Sequence, residues 1–303
     1  MRNEGLRHRS RSFRALGYSF SFQCDEPALT RYLGSLFEPF ETPEDPQCTY
    51  AFGAIEDSGA PNYLLYCDDL MLDNHRRPAV PFATLLWHIN RSVVRCSQDR
   101  LLIHASAVAR GDTGLLFPAA MESGKTTLAA GLVRAGLAYI TDETVAIDPG
   151  TRLVEPFPRA LSVDPGSWGV LADLRPEVPP ELAVYVGDQW QIPPLSIRRD
   201  AVAGATTPRF VITPSYRAGA RSELQPMSRA DAVRVLAEHS FNFQRYGGTG
   251  LSLLADIVRR SECYRLEVGD LAVACRLVLD LLDTGRRPTP ADDLSLNGGL
   301  VHG

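Results

Sequence analysis

Little in this 303-residue chain is suited to a metal cluster, a membrane or a duplex nucleic acid. The six cysteines, Cys24, Cys48, Cys67, Cys96, Cys263 and Cys275, include no C-x-x-C pair and no Cys/His cluster, which speaks against a zinc site and a disulfide framework. No apolar run approaches the roughly 20 residues of a membrane span. The arginines between Arg2 and Arg14 are not followed by the apolar core of a secretory signal. A formal net charge of −5 at pH 7 provides no strong positive field for nucleic acid, and the basic run reads as a solvated lead. No internal repeat is found. These absences lead to the expectation of a cytoplasmic protein with neither nucleic acid nor membrane as partner.

What is present suits an ordinary globular protein, with 45% hydrophobic and 22% charged residues. Residues 1–15 are expected to be a disordered lead and 288–303 a disordered tail. Between them, residues 16–98 read as a small α+β unit. "YSFSFQC" alternates as a strand, "EPALTRYLGSLFEPF" carries a helical face of Leu29, Tyr32, Leu33, Leu36 and Phe37, and "CTYAFGAIE" and "NYLLYCDD" read as strands. The helix in "VPFATLLWHINRSVVRCS" has Pro81 in its first turn and leads into a second unit over 99–287. His88 in that helix is assigned a packing or surface role.

The second unit opens with the buried-strand runs "RLLIHASAVAR" and "TGLLFPAA" around the turn "GDTG". A helix in "TTLAAGLVRAG" ends at Gly136, and "LAYITDETVAID" is the next strand. Further strands are expected in "EPFPRALSV", "LAVYVGDQW", "PRFVITPSY" and "SELQPMS". Helices are expected in "SRADAVRVLAEHSFNF", capped by Ser228, and in "DLAVACRLVLDLL".

The turn between the first buried strand pair and that helix carries the chemistry. Residues Ala119, Ala120, Met121, Glu122, Ser123, Gly124, Lys125 and Thr126 read A-x-x-x-x-G-K-T, a phosphate-binding loop in every position but the first. Consecutive N–H groups in such a loop cradle phosphate oxygens at the positive end of the following helix. Gly124 allows close backbone approach, Lys125 neutralises the β- and γ-phosphates, and Thr126 offers a hydroxyl to Mg²⁺. Thr127 completes the expected nucleotide-binding set. Alanine in place of the first glycine would cost about 1 kcal/mol if Ala119 had to be left-handed. The alternative is a chance G-K-T at the start of an Ala/Gly-rich helix. Strand, loop, helix and strand in sequence favour the phosphate loop.

Asp142 and Glu143 follow Lys125 by 17 and 18 positions. Two adjacent carboxylates beside a polyphosphate invite a division of labour, one holding Mg²⁺ and one accepting the proton of an attacking hydroxyl.

The combination of His104 in "LLIHASAVA", the loop ending "SGKTT" and the segment "GLAYITDET" resembles the HPr kinase/phosphorylase family and its relatives in peptide-modification systems, such as lasso-peptide precursor kinases. His104 lies 21 positions before Lys125. The resemblance is good over about residues 100–165 and looser elsewhere. It implies an α/β fold class, an HPr kinase/PEP carboxykinase-like P-loop domain carrying the small N-terminal α+β domain. It also implies that Lys125 and Thr126 bind ATP and Mg²⁺ and that Asp142 is the general base. Glu143 would assist the metal, so that Thr126, Asp142 and Glu143 form the metal set, with His104 near the γ-phosphate. His104 could equally be a strand-end histidine satisfied by backbone. Arg159 in "EPFPRALSV" is a weak candidate for a substrate contact, with surface solvation the preferred reading.

The expected activity is ATP-dependent phosphorylation of a Ser or Thr hydroxyl on a peptide or small protein, the precursor of a modified natural product being the sharpest version. A small-metabolite hydroxyl kinase is one alternative. A nucleotide-binding assembly or regulatory protein without transfer chemistry is another, kept open by Ala119, Met121 and Glu122. A homo-oligomer is also left open.

Overall fold

The computed structural model describes residues 8–284. It is a mixed α/β protein built on two main sheets. The first unit runs through β1 (His8–Ala15), β2 (Tyr18–Cys24), α1 (Pro27–Leu36), β3 (Glu41–Thr42), β4 (Cys48–Asp57), β5 (Ala60–Cys67), β6 (Leu70–His75) and α2 (Ala79–Cys96). Its six strands lie in the order β3-β1-β2-β4-β5-β6. The second unit adds β7 (Leu101–Arg110), β8 (Thr113–Pro118), α3 (Lys125–Arg134), β9 (Ala138–Thr141), β10 (Thr144–Ile147), β11 (Val154–Glu155), β12 (Leu161–Val163), α4 (Ala183–Val186), β13 (Trp190–Ile192) and α5 (Pro194–Ile197). It closes with β14 (Thr207–Tyr216), β15 (Glu223–Pro226), α6 (Arg229–Glu238), α7 (Phe243–Arg259), β16 (Glu262–Val268) and α8 (Leu271–Thr284). The main path of its sheet is β11-β10-β7-β8-β14-β16-β15, with β9 also paired to β7. Among the described residues no helix is long and apolar enough to cross a membrane.

The N-terminal lead departs from expectation. Residues 8–15 are not disordered but form β1, which pairs antiparallel with β2 and β3. Arg9, Arg11 and Arg14 are exposed while Phe13 and Ala15 are buried, a register shift between Arg9 and Ser12 letting the first two arginines stay outside although they share the spacing of the buried pair. Residues 1–7 and the proposed tail at 288–303 lie outside the described residues.

Cys48 on β4 and Cys67 on β5 are joined as a disulfide with a Cα–Cα distance of 6.3 Å, where the cysteine spacing suggested no pairing. The hairpin brings together positions 19 apart in sequence, which spacing alone does not reveal.

In the C-terminal half, the segment expected as the strand "LAVYVGDQW" is instead the short helix α4 leading to β13. The helix from Ser228 stops at Glu238, and α7 follows after a break. The sequence hides α7 because its first turns contain Gly247, Gly248 and Gly250, and Gly247 is a non-helical kink with φ 49° and ψ −131°. His88 has the packing role expected, its Nδ1 being 2.8 Å from the Tyr50 hydroxyl.

The first unit does not complete its own core. Its cluster of Phe13, Phe20, Phe22, Phe37 and Phe52 takes in Phe157, Ala160, Leu182 and Tyr185 from the second unit. Phe157 is fully buried, its ring centroid 5.6 Å from that of Phe40. Truncation of a buried phenylalanine typically costs about 3–5 kcal/mol. Phe157→Ala is therefore expected to lower the stability measured by urea unfolding by about that amount. A loss under about 1 kcal/mol would show that this ring does not join the two units.

Candidate functional site

The sheet register brings four segments to one edge. Ala105 on β7 pairs with Pro118, the last residue of β8. On the other side of β7, His104 pairs with Thr144 and Ala107 with Thr141. The phosphate loop after β8 and the Asp142–Glu143 break between β9 and β10 therefore flank the same stretch of β7. The Ser106 hydroxyl, on that stretch, donates to the carbonyl of Lys125 at 3.3 Å.

The loop adopts its own distribution of backbone strain. Ala119 is buried and keeps a negative φ, so the penalty anticipated for the missing glycine does not arise. Left-handed backbone falls instead on Glu122, with φ 62°, and on Gly124, with φ 85° and ψ 13° at the cap of α3. Holding a non-glycine residue there costs on the order of 1 kcal/mol. Ala120, Met121 and Glu122 face solvent, with Met121 79% exposed.

Lys125 is buried at 6% exposure and turned back into the loop, donating to the carbonyl oxygens of Ala119 at 2.9 Å and Ala120 at 2.6 Å. Burial lowers its pKa, while the charges of Glu143 and Asp142 act in the opposite direction. Those opposing contributions put the lysine and both acids in one electrostatic neighbourhood. Thr126 is half-buried on the first turn of α3. The Thr127 hydroxyl is 2.6 Å from that of Ser167, so this member of the expected nucleotide set is engaged by a neighbouring segment.

The two acids differ sharply. Asp142 is 3% exposed, its Oδ1 accepting from the Tyr139 hydroxyl at 2.9 Å and its Oδ2 from the Ser162 N–H at 3.2 Å. The Arg159 guanidinium lies 3.5 Å from Oδ1. Burial raises the Asp142 pKa, reinforced by Glu143 and opposed by Arg159 and the two hydrogen bonds. Where a general base was expected, Asp142 presents both carboxylate oxygens to Tyr139, Ser162 and Arg159. Glu143 is the acid that lines the open cleft. Its Oε1 lies 3.5 Å from His104 Nδ1, which is also 3.2 Å from the Glu143 carbonyl oxygen. Both of those oxygens only accept, so Nδ1 carries the proton. Burial pushes the Glu143 pKa up, but the His104 hydrogen bond and the charges of Arg159, His104 and Lys125 together hold it below the usual glutamate value.

Arg159 is 8% exposed, not surface-solvated as preferred from sequence. Its Nε donates to the Ala160 carbonyl at 3.2 Å and its Nη2 to the Ser162 hydroxyl. Tyr139, Ser162 and His239 were not singled out by sequence. Tyr139 reads there as one more apolar strand position, and Ser162 binds Asp142 through its backbone N–H, which leaves no signature. His239 follows α6, and its carbonyl accepts from the His104 N–H at 2.7 Å.

The residues fit a nucleotide with Mg²⁺. Ser123 Oγ in the loop, and His104 Nε2 and Thr144 Oγ1 on facing residues of β7 and β10, are buried without a hydrogen-bond partner. The loop opens onto the N-terminus of the ten-residue α3, whose dipole favours an anion. Beside it lies an open cleft of about 1000 Å³, lined by Met121, Glu143, Arg159, Ser162, Gln191 and one side of α2.

No family model matches the chain, and no curated protein matches it.

The lowered Glu143 pKa has a defined sign. Stability from its ionised form is fully present above the unfolded value, about 4.3, and is lost as pH falls through the lower folded value. Glu143→Gln should therefore be less stable than the wild type at pH 7 by thermal unfolding, with the gap closing as pH is lowered through 4 toward 3. A gap equal at pH 7 and pH 3 would contradict the His104–Glu143 pairing.

Proposed function

We propose that this protein is an ATP-dependent kinase that transfers the γ-phosphoryl group to a Ser or Thr hydroxyl of a peptide or small protein, on an HPr kinase/PEP carboxykinase-like P-loop domain. The observation that carries this reading is the convergence of Lys125, at the head of α3, with the Glu143–His104 pair across β7, beside an open cleft. Cytoplasm is the compartment that supplies ATP to such an enzyme.

Phosphoryl transfer asks for positioning and charge neutralisation more than for covalent help. The loop N–H groups and Lys125 would bind the β- and γ-phosphates, the ammonium exchanging its bonds to Ala119 and Ala120 for phosphate oxygens. Thr126 and Glu143 are the residues that would hold Mg²⁺, which supplies further neutralisation of the triphosphate. The acceptor oxygen attacks the γ-phosphorus, the bond to the β–γ bridging oxygen breaks, and ADP leaves. Glu143 receives the hydroxyl proton, and His104 orients its carboxylate. Asp142 serves as a buried anchor that holds Arg159 and Tyr139 in place.

A cleft of about 1000 Å³ lies at the top of the range that encloses a drug-sized ligand, which favours a peptide acceptor over a small metabolite. A nucleotide-binding protein without transfer chemistry is the second reading, favoured by Lys125 turned onto the loop's own carbonyls and by the exposed Glu122 within the loop.

Incubation with labelled ATP and Mg²⁺ and serine-containing peptides, read by mass spectrometry, separates these. Lys125→Ala should abolish nucleotide binding. Glu143→Gln should slow transfer at saturating ATP and Mg²⁺ by about 100-fold or more, the scale of general-base loss. Full transfer by Glu143→Gln would refute the role given to Glu143, and nucleotide binding without transfer to any peptide would establish the second reading.

A further inference from the structure

The helix α2 has two faces, and the structure accounts for one. Phe82, Leu85, Ile89 and Val93 are buried against the first sheet. The opposite stripe, Val80, Thr84, Trp87, Arg91 and Val94, recurs every three or four residues and lines the cleft that Glu143 faces. Trp87 and Val94 thus belong to a surface distinct from the buried face of the same helix.

Exposed apolar side chains scattered singly need no explanation, but a contiguous group does. Val80 at 38%, Trp87 at 57%, Met121 at 79% and Phe241 at 48% all line this cleft, and they come from three separate segments: α2, the phosphate loop and the turn after α6. The charges at the rim are also unbalanced. Glu143 is paired with His104 and Arg159 with Asp142. Arg77 and Arg91 line the cleft with no ion pair to either guanidinium among the described residues, and the carboxylates that line it with them are Glu143 and Asp188. The Arg91 guanidinium instead lies 5.1 Å from the Trp87 ring centroid. That contact holds an aromatic face and a positive charge together at the same place.

Length discriminates between occupants. From Val80 to Val94 the helix rises about 21 Å at 1.5 Å per residue. An extended chain covers that distance with about six residues. A free amino acid or sugar would touch only one end of such a wall.

Resting on the kinase reading above, we propose that the α2 wall of this cleft is the acceptor groove. It takes an extended peptide segment whose hydroxyl residue reaches Glu143, with an apolar or aromatic residue against Trp87 and Met121 and an acidic residue against Arg91 and Arg77. Trp87 and Arg91 determine which segment is accepted, and neither takes part in the chemistry.

The test uses the full-length chain and fluorescein-labelled dodecamers with a central serine. At two flanking positions the dodecamers carry Phe and Glu, Ala and Glu, or Phe and Lys, in each spacing that the wall can span. Binding is read by fluorescence anisotropy without nucleotide, and nucleotide binding separately with a fluorescent ATP analogue. The Phe/Glu series should contain the tightest binders. Trp87→Ala and Arg91→Glu should each weaken those by tenfold or more, with ATP-analogue binding unchanged. Arg91→Glu should in turn prefer the Phe/Lys peptides, a reversal that mere damage to the fold would not produce. Equal binding of all three series, loss of preference without reversal, or displacement of bound peptide by free serine at equal concentration would each overturn the groove. Peptide selectivity of this form without transfer would leave the groove standing and remove the kinase reading. Transfer to peptides insensitive to both substitutions would do the opposite.

Discussion

A carboxylate removed from water is the constraint around which the site is organised. Asp142 lies almost wholly inside the protein, and an ionised group there persists only with an opposite charge and hydrogen bonds around it. Arg159 supplies the charge, and Tyr139 and the Ser162 N–H supply the bonds. Removing one member of such a buried pair typically costs about 3–5 kcal/mol, because the other is left uncompensated. The segment 157–162 is consequently fixed to the end of β9. Within those six residues Phe157 enters the aromatic core of the first unit, while Arg159 and Ser162 hold Asp142. One short stretch therefore sets both the buried acid and the seating of the first unit, whose helix α2 forms the far wall of the cleft. The distance between that wall and Glu143 is governed by packing and by charge together.

The loop leading into α3 holds its lysine inward. Its lysine is already partly desolvated and bonded to neutral carbonyls, which are weaker partners than a phosphate oxygen. Exchange of one set for the other needs rotation of the side chain without rebuilding of the backbone. The left-handed residues Glu122 and Gly124 provide the curvature that a first-position glycine would otherwise be asked to supply.

Much of this was legible in the sequence, and the gaps have identifiable causes. The alternation of "YSFSFQC", the loop G-K-T, and the strand–loop–helix–strand order are local patterns, and the structure has them where the patterns lie. Lys125, His104 and the two acids lie in one neighbourhood, as their positions along the chain suggested, while the difference in burial between the two acids was not legible. Burial of Asp142 depends on Arg159 and Ser162, 17 and 20 residues further on, and no spacing rule links them. The strand β1 was missed because its charged positions dominate its composition, although every second residue is core-facing at its C-terminal end. The helix α7 was missed because glycines that would weaken an isolated helix are tolerated where Leu253, Leu254, Ile257 and Val258 are buried. Trp87 is exposed on α2, and hydrophobicity alone does not say which of two facing surfaces an aromatic serves.

The break between β9 and β10 has a further consequence. The pairings Ala107–Thr141 and His104–Thr144 share one register, so the two-residue break holding Asp142 and Glu143 lies across from Ser106 and Ala105, with the Ala105 N–H donating to the Glu143 carbonyl at 3.3 Å. Adjacent in sequence, one acid is enclosed while its neighbour opens to the cleft. A residue inserted or deleted between Thr141 and Thr144 would put a bulge between two pairings that now share one register, so the length of this two-residue break is constrained along with its acids.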